Sequence, residues 1–175
     1  MAYRVELKGP DRPALINVRV GANDLAAVEQ TVGLTAPTPC GAVSKSASVT
    51  VFGLGPDEWL IRTRQDEEQL WLDRLEVATA RTCSAVVLVS DAHSVFRIAG
   101  ADALEVLAQA TGLDVHRSAF PTGSATRTAF AKGSALIHRL DETPSFDLYF
   151  DSALTRYARA WLQCAIDPTR AQWPG

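Results

Sequence analysis

The sequence predicts an α+β protein made of two duplicated β-α-β-β-α-β halves, each ferredoxin-like with a mostly antiparallel sheet. Three observations carry this. The segment Gly21–Leu34, GANDLAAVEQTVGL, returns 79 positions on, from Gly100 to Leu113, as GADALEVLAQATGL, with Gly, Ala, Leu, Gln, Gly and Leu in matching places. Each copy is followed by a Pro-containing loop, a strand pattern, a polar turn, a second strand and an amphipathic helix carrying Trp-Leu, at Trp71-Leu72 and Trp161-Leu162. Apolar residues are 47% of the 175, enough for a sizeable core. Domains commonly run to about 100–150 residues, so residues 1–90, with an N-terminal arm, and residues 91–175, with a C-terminal tail, are expected as two halves packed intimately.

The opening residues, with Gly9-Pro10 and Pro13, read as an extended arm feeding a strand over Leu15–Val20. A helix is expected over Asn23–Val32, with Leu25, Val28 and Val32 on one face and Gly33 as a left-handed stop, since glycine has no Cβ to clash at positive φ. Ser46–Phe52 alternates as a strand, with Ala47, Val49 and Val51 on one side. Gly53–Glu58 breaks it, and Trp59–Thr63 returns antiparallel with Trp59 and Ile61 inward. Asp66 is the expected N-cap of the next helix, with Gln69 completing a capping box, and Trp71, Leu75 and Ala78 recur at helical spacing. Ala85–Ser90 is a short continuous apolar run, the pattern of a buried strand.

The second copy starts with a strand at Val95–Ala99 and a helix at Ala101–Thr111 stopped by Gly112. Strands follow at Ala125–Ala131 and Ala135–Leu140 about a Lys132-Gly133 turn, then at Phe146–Phe150. Ser152 is the expected cap of a last helix. Its Leu154, Tyr157, Ala158, Trp161, Leu162 and Ala165 form the stripe of a core-facing face, and Pro168 ends it.

Seventeen Lys and Arg against twenty Asp and Glu give a net charge of −3, without the clustered basic residues of a nucleic-acid footprint. Met1–Glu6 is too interrupted by charge for a signal peptide. No window approaches the roughly 18 apolar residues of a membrane helix. The expectation is a cytoplasmic protein without nucleic-acid or membrane partners. Cys40, Cys83 and Cys164 are odd in number and far apart, against a disulfide framework, and Cys83 and Cys164 read as small apolar fillers. His93, His116 and His138 share no helical i+4 spacing with a metal ligand, and His138 reads as a surface or interface residue. Gly53-Leu54-Gly55 lacks the third glycine and helix start of a dinucleotide loop and fits a β-turn better. Asp57-Glu58 and Asp141-Glu142 occupy equivalent turns of the two repeats, as solvated carboxylates do, and Asp91 reads the same way. No catalytic, cofactor-binding or metal residue is assigned. Trp59, Trp71 and Trp161 fall on core-facing positions, while Trp173, beside Pro174, reads either as an anchor for a partner or as part of a tail folded back onto its own sheet.

Three parts of the chain resemble a known family. They are LGPDEWLI (Leu54–Ile61), the stretch Phe96–Leu113, and AFPTGSATRTAFAKGSALIHR (Ala119–Arg139) with FDLYFDSALTRYARAWL (Phe146–Leu162). Together they resemble the gamma subunit of heterotetrameric sarcosine oxidase, a fold relative of the folate-binding domains of the glycine-cleavage T protein, an aminomethyltransferase. The resemblance implies a non-catalytic subunit, serving assembly and stability, of a complex that oxidatively demethylates sarcosine to glycine. It implies direct packing on the alpha subunit, with beta and delta subunits in the same complex. It also implies that FAD, FMN, NAD and tetrahydrofolate belong to those partners. T proteins carry an acid at the end of a segment that here reads Lys132–His138, and another at a segment that here reads Leu88-Val89-Ser90; both acids are missing. A stand-alone folate-binding protein of aminomethyltransferase type, or a ferredoxin-like homodimer binding a small molecule, are the alternatives.

Overall fold

The computed structural model describes residues 2–170, so Trp173 lies outside the described residues. The chain divides into two compact units, one of residues 12–90 and the other of residues 91 onward together with the first eleven. The chain passes from one unit to the other at residues 90/91, and the arm belongs to the second unit. That arm contains a strand, β1 (Glu6–Asp11), which pairs antiparallel with a strand of the second half.

In the 12–90 unit, β2 (Ala14–Val20) leads to α1 (Leu25–Val32), then β3 (Val43–Lys45), β4 (Thr50–Gly53), β5 (Glu58–Thr63), α2 (Glu68–Thr79) and β6 (Ser84–Leu88). The sheet order is β3-β4-β5-β2-β6, with every pairing antiparallel. This is a ferredoxin-like sheet with β3 added at one edge. The helices cover one face, where Val28, Val32, Trp71 and Leu75 meet Ile16, Val18, Val51, Trp59 and Ile61 in the core. Gly33 ends α1 at φ 72° and returns its N–H to the Glu29 carbonyl at 2.8 Å, as the sequence predicts.

Four local expectations are corrected here. The single strand over Ser46–Phe52 is broken: Ser46 N–H bonds the Val49 carbonyl at 2.8 Å, turning the chain between β3 and β4. Asp66 does not cap α2. It holds Arg64 instead, and Gln69 donates to Asp73, so the capping box does not form. The buried stripe of α2 ends in Thr79 rather than Ala78, because the Thr79 hydroxyl donates back to the Leu75 carbonyl at 2.8 Å and needs no outside partner. Finally, β6 is an edge strand; only Val86 packs on the core, and Ala85, Val87 and Leu88 are exposed.

The second unit runs β7 (His93–Ala99), α3 (Ala103–Ala108), β8 (Ala125–Phe130), β9 (Gly133–Asp141), β10 (Ser145–Asp151) and α4 (Thr155–Ile166). Its order, β1-β7-β10-β9-β8, repeats that of the first unit, with β1 in the place that β6 holds there. Each half thus has three strands between its helices, as the strand patterns of the second copy predict and those of the first do not. The core joins Phe96, Ile98, Phe130, Ile137, Phe146, Leu148 and Phe150 of the sheet to Leu107, Ala158 and Leu162 of the helices. Phe130 meets Phe150 and Trp161 edge-on, with ring centroids 5.0 and 5.1 Å apart. Such pairs add about 0.5–1.5 kcal/mol each beyond their buried area.

Here α3 is shorter than expected, closing at Gln109 rather than Gly112. The β8–β9 turn places Ala131, not Gly133, at positive φ (50°). The cap of the last helical segment is Asp151, whose carboxylate accepts from Ala153 N–H at 2.8 Å, rather than Ser152. Among the described residues no helix is long and apolar enough to cross a membrane.

Candidate functional site

Side chains alternate across a strand, so β7, β9 and β10 each turn a second set of residues away from α3 and α4. On this helix-free face the register aligns Arg97, Asp147 and His138 in one row across β7, β10 and β9. Asp147 is 1% exposed and accepts two hydrogen bonds from Arg97, Nε at 2.7 Å and Nη2 at 2.9 Å. A fork of this kind is among the stronger polar contacts available, because both partners carry full charge and two parallel bonds fix the geometry. His138 is 4% exposed, on the same face as Leu136, which corrects its expected place at the surface.

The next row holds Tyr149, Leu136 and Arg127, and in the row beyond it His93 faces Asp151. Between these two rows lies a cavity of about 120 Å³. It is far below the roughly 300–1,000 Å³ of pockets that take drug-sized ligands, so this cavity cannot hold a folate. Its chemistry is that of a small polar guest.

One arginine escaped sequence reasoning. Arg139 is 2% exposed and meets backbone carbonyls: Nη1 donates to Val115 at 3.1 Å and Phe120 at 3.2 Å, and Nε to Asp141 at 3.3 Å. Its guanidinium also lies 5.6 Å from the Phe146 ring centroid. It ties the loop before β8 to the sheet, a structural task with no local sequence signal.

The other candidates are dispersed. His116 bonds Ser118 in an exposed turn. Cys40 and Cys83 are exposed and Cys164 is half-buried, so Cys83 is not the apolar filler expected. Glu58 lies on β5, accepting from Asn17 and Arg19, while Asp57, Asp91, Asp141 and Glu142 are exposed. Gly53 and Gly55 flank the β4–β5 hairpin, as the turn reading requires. Trp59 and Trp71 are buried; the Trp71 indole donates to Glu67 at 3.2 Å, whereas the Trp59 indole N–H has no partner among the described residues. Ser90, at the segment where the T proteins carry an acid, accepts from Leu15 N–H at 2.9 Å and donates to Glu68. Among the described residues no group of three potential metal ligands converges.

A different kind of site lies on the 12–90 unit. The exposed large apolar side chains among the described residues are Leu70, Val77, Val87 and Leu88. They lie on α2 and β6, which are consecutive and pack together. Val77 also borders an open groove of about 400 Å³ between α1 and α2, beside Thr31, Asp73, Arg74 and Ala78. On β6, Leu88 shares the helix-covered face with Val86, while Val87 points to the other face; exposed large apolar side chains on neighbouring elements are candidates for cover by a partner.

A family model described as the sarcosine oxidase, gamma subunit family matches residues 20–167. In structure the chain is similar to heterotetrameric sarcosine oxidase from Corynebacterium sp. U-96, solved in complex with pyrrole 2-carboxylate. The TM-score is 0.87 at 25% identity, over 98% of this chain and 88% of that one. It is also similar to the glycine cleavage system aminomethyltransferase T from Bartonella henselae, with a TM-score of 0.69 at 15% identity. That likeness covers 99% of this chain but 48% of the other, so the chain spans about half of that protein and shares its fold alone. Comparison with curated protein sequences returned no match.

Proposed function

The chain belongs to the sarcosine oxidase gamma subunit family, and from that premise we propose that it is the non-catalytic assembly subunit of a cytoplasmic sarcosine-oxidase-like complex. In this reading the complex demethylates sarcosine oxidatively to glycine. The flavins, NAD and tetrahydrofolate are held by its larger subunits, with beta and delta subunits alongside, and this chain docks on the alpha subunit. The observation that carries the reading is the placing of exposed apolar side chains on α2 and β6, Val77 foremost at 78% exposure. A large apolar side chain left in water gains its roughly 1.5–3 kcal/mol of burial only when a partner covers it. The charged groups engaged on the second sheet fit the same reading. Arg97 with Asp147, and Arg139 with its carbonyls, are engaged in holding strands and loops together.

Co-expression with alpha, beta and delta subunits tests this. The chain is expected to co-purify with alpha, and alone to show neither flavin absorbance nor sarcosine oxidation. Omitting it should lower the yield and thermal stability of the complex while leaving turnover per flavin within about twofold. Oxidase activity in the isolated chain, or no association with alpha, overturns the proposal. A tetrahydrofolate thermal shift on the isolated chain would point instead to a folate-binding protein, since a ligand at a hundred times its Kd stabilises by about 2.7 kcal/mol.

A further inference from the structure

We propose that the cavity on the helix-free sheet face of the second unit binds a small α-amino-acid zwitterion, its carboxylate on Arg127 and its ammonium on Asp151. Three features of the cavity lead there. The first is size: about 120 Å³ lies well below the roughly 300–1,000 Å³ of pockets for drug-sized ligands, room for a small solute. The second is the lining. Tyr149 and Leu136 form a buried floor, at 2% and 3% exposure, while Arg127 and Asp151 stand exposed on β8 and β10, with β9 between them.

The third is the charge arrangement. The Arg127 side chain makes no hydrogen bond or ion pair with any described residue, although an acid lines the same cavity. Asp151 commits one carboxylate oxygen to Ala153 N–H, and the other has no partner among the described residues. A guanidinium fork matches a carboxylate in two parallel bonds. A simple anion on Arg127 would face the Asp151 charge, and a simple cation on Asp151 would face Arg127. A molecule carrying both charges offers an opposite charge to each wall, and the buried floor lowers the dielectric beneath it.

The test is a titration of the ¹⁵N-labelled full chain, followed by amide shifts, with glycine, sodium acetate and methylammonium chloride at matched ionic strength. Glycine should give saturable shifts around Arg127, Leu136, Tyr149 and Asp151, with acetate and methylammonium at least tenfold weaker. Arg127→Gln and Asp151→Asn should each weaken glycine at least tenfold. The second variant keeps the oxygen that accepts from Ala153, and unchanged shifts elsewhere report an intact fold. Glycine shifts that fail to saturate, or that survive both variants, overturn the proposal. So does acetate binding as tightly as glycine with no effect of Asp151→Asn, which would mark a bare carboxylate site.

Discussion

Asp102 links a single side chain to the attachment of the N-terminus. Its carboxylate accepts from the Arg4 guanidinium at 2.9 and 3.2 Å and from the Arg4 backbone N–H at 2.7 Å. These contacts, the side-chain hydrogen bond first, hold the Asp102 carboxyl below its ordinary range. A carboxyl depressed in the folded state contributes stability above its unfolded pKa, about 3.9, and loses that contribution as pH falls through the lower folded value. Asp102→Asn should therefore lower the urea midpoint at pH 7, and the gap from the parent should close as pH falls below about 4. A gap that stays constant down to pH 2 would mean that the contact acts by shape alone. At this same scale the sequence was readable where side chains face a core and opaque where they meet across strands. Trp59 and Trp71 could be placed because periodicity marks an inward face. Arg97, Asp147 and His138 could not be grouped, since only the register of β7, β10 and β9 brings them into one row. Arg139 was hidden for the same reason: a charged residue within an apolar strand pattern reads as exposed until its carbonyl partners are known.

Among elements, the duplication was legible because Gly21–Leu34 and Gly100–Leu113 each contain the first helix of a unit, and similar segments take equivalent places in the two sheets. What the repeat could not reveal was that β1, rather than a strand after α4, completes the second sheet. Strand pairing over some ninety residues leaves no local trace, and Gly9-Pro10, where the β1 register slips, makes the segment read as an extended arm. Several contacts hold β1 in place besides its ladder. Tyr3 N–H reaches the Ile166 carbonyl at 2.8 Å and the Arg159 guanidinium donates to the Gly9 carbonyl at 3.3 Å. Gly100 sits at φ +142°, and a Cβ there would run into the Arg4 carbonyl. Strained backbone of this kind costs a non-glycine residue about 1–3 kcal/mol before any clash is counted. Gly100→Ala should thus cost about 2–4 kcal/mol in urea unfolding and speed hydrogen exchange at β1 amides far more than at β9. Uniform acceleration across the sheet would show that the substitution weakens the unit as a whole instead of releasing its borrowed strand.

At the scale of the whole molecule, the exposed apolar side chains set the terms for association. Val77 and Leu70 lie seven residues apart on α2, hence on one face of the helix, and β6 offers Val87 and Leu88 on an edge strand. Such an edge is a template for pairing with another chain unless charge or covering blocks it. Sequence periodicity assigned β6 to the interior because an apolar run reads alike in a buried strand and in an exposed edge strand. Substituting these positions separates folding from assembly. Val77→Lys and Val87→Lys alter exposed sites, where changes usually stay within about 0.5 kcal/mol, so each variant should unfold within a few degrees of the parent. In the complex the same lysines would bring a charge into an apolar contact. Loss of about 1.4 kcal/mol corresponds to tenfold in Kd, and each variant should lose at least that much affinity for the alpha subunit, with Val77→Lys the more severe because its side chain is the most exposed of the four. Titration calorimetry against purified alpha subunit, beside thermal melts of the isolated chain, reads both quantities. Unchanged affinity in both variants would move the docking surface away from α2 and β6, and a collapse of the melting temperature would show these side chains to belong to the fold.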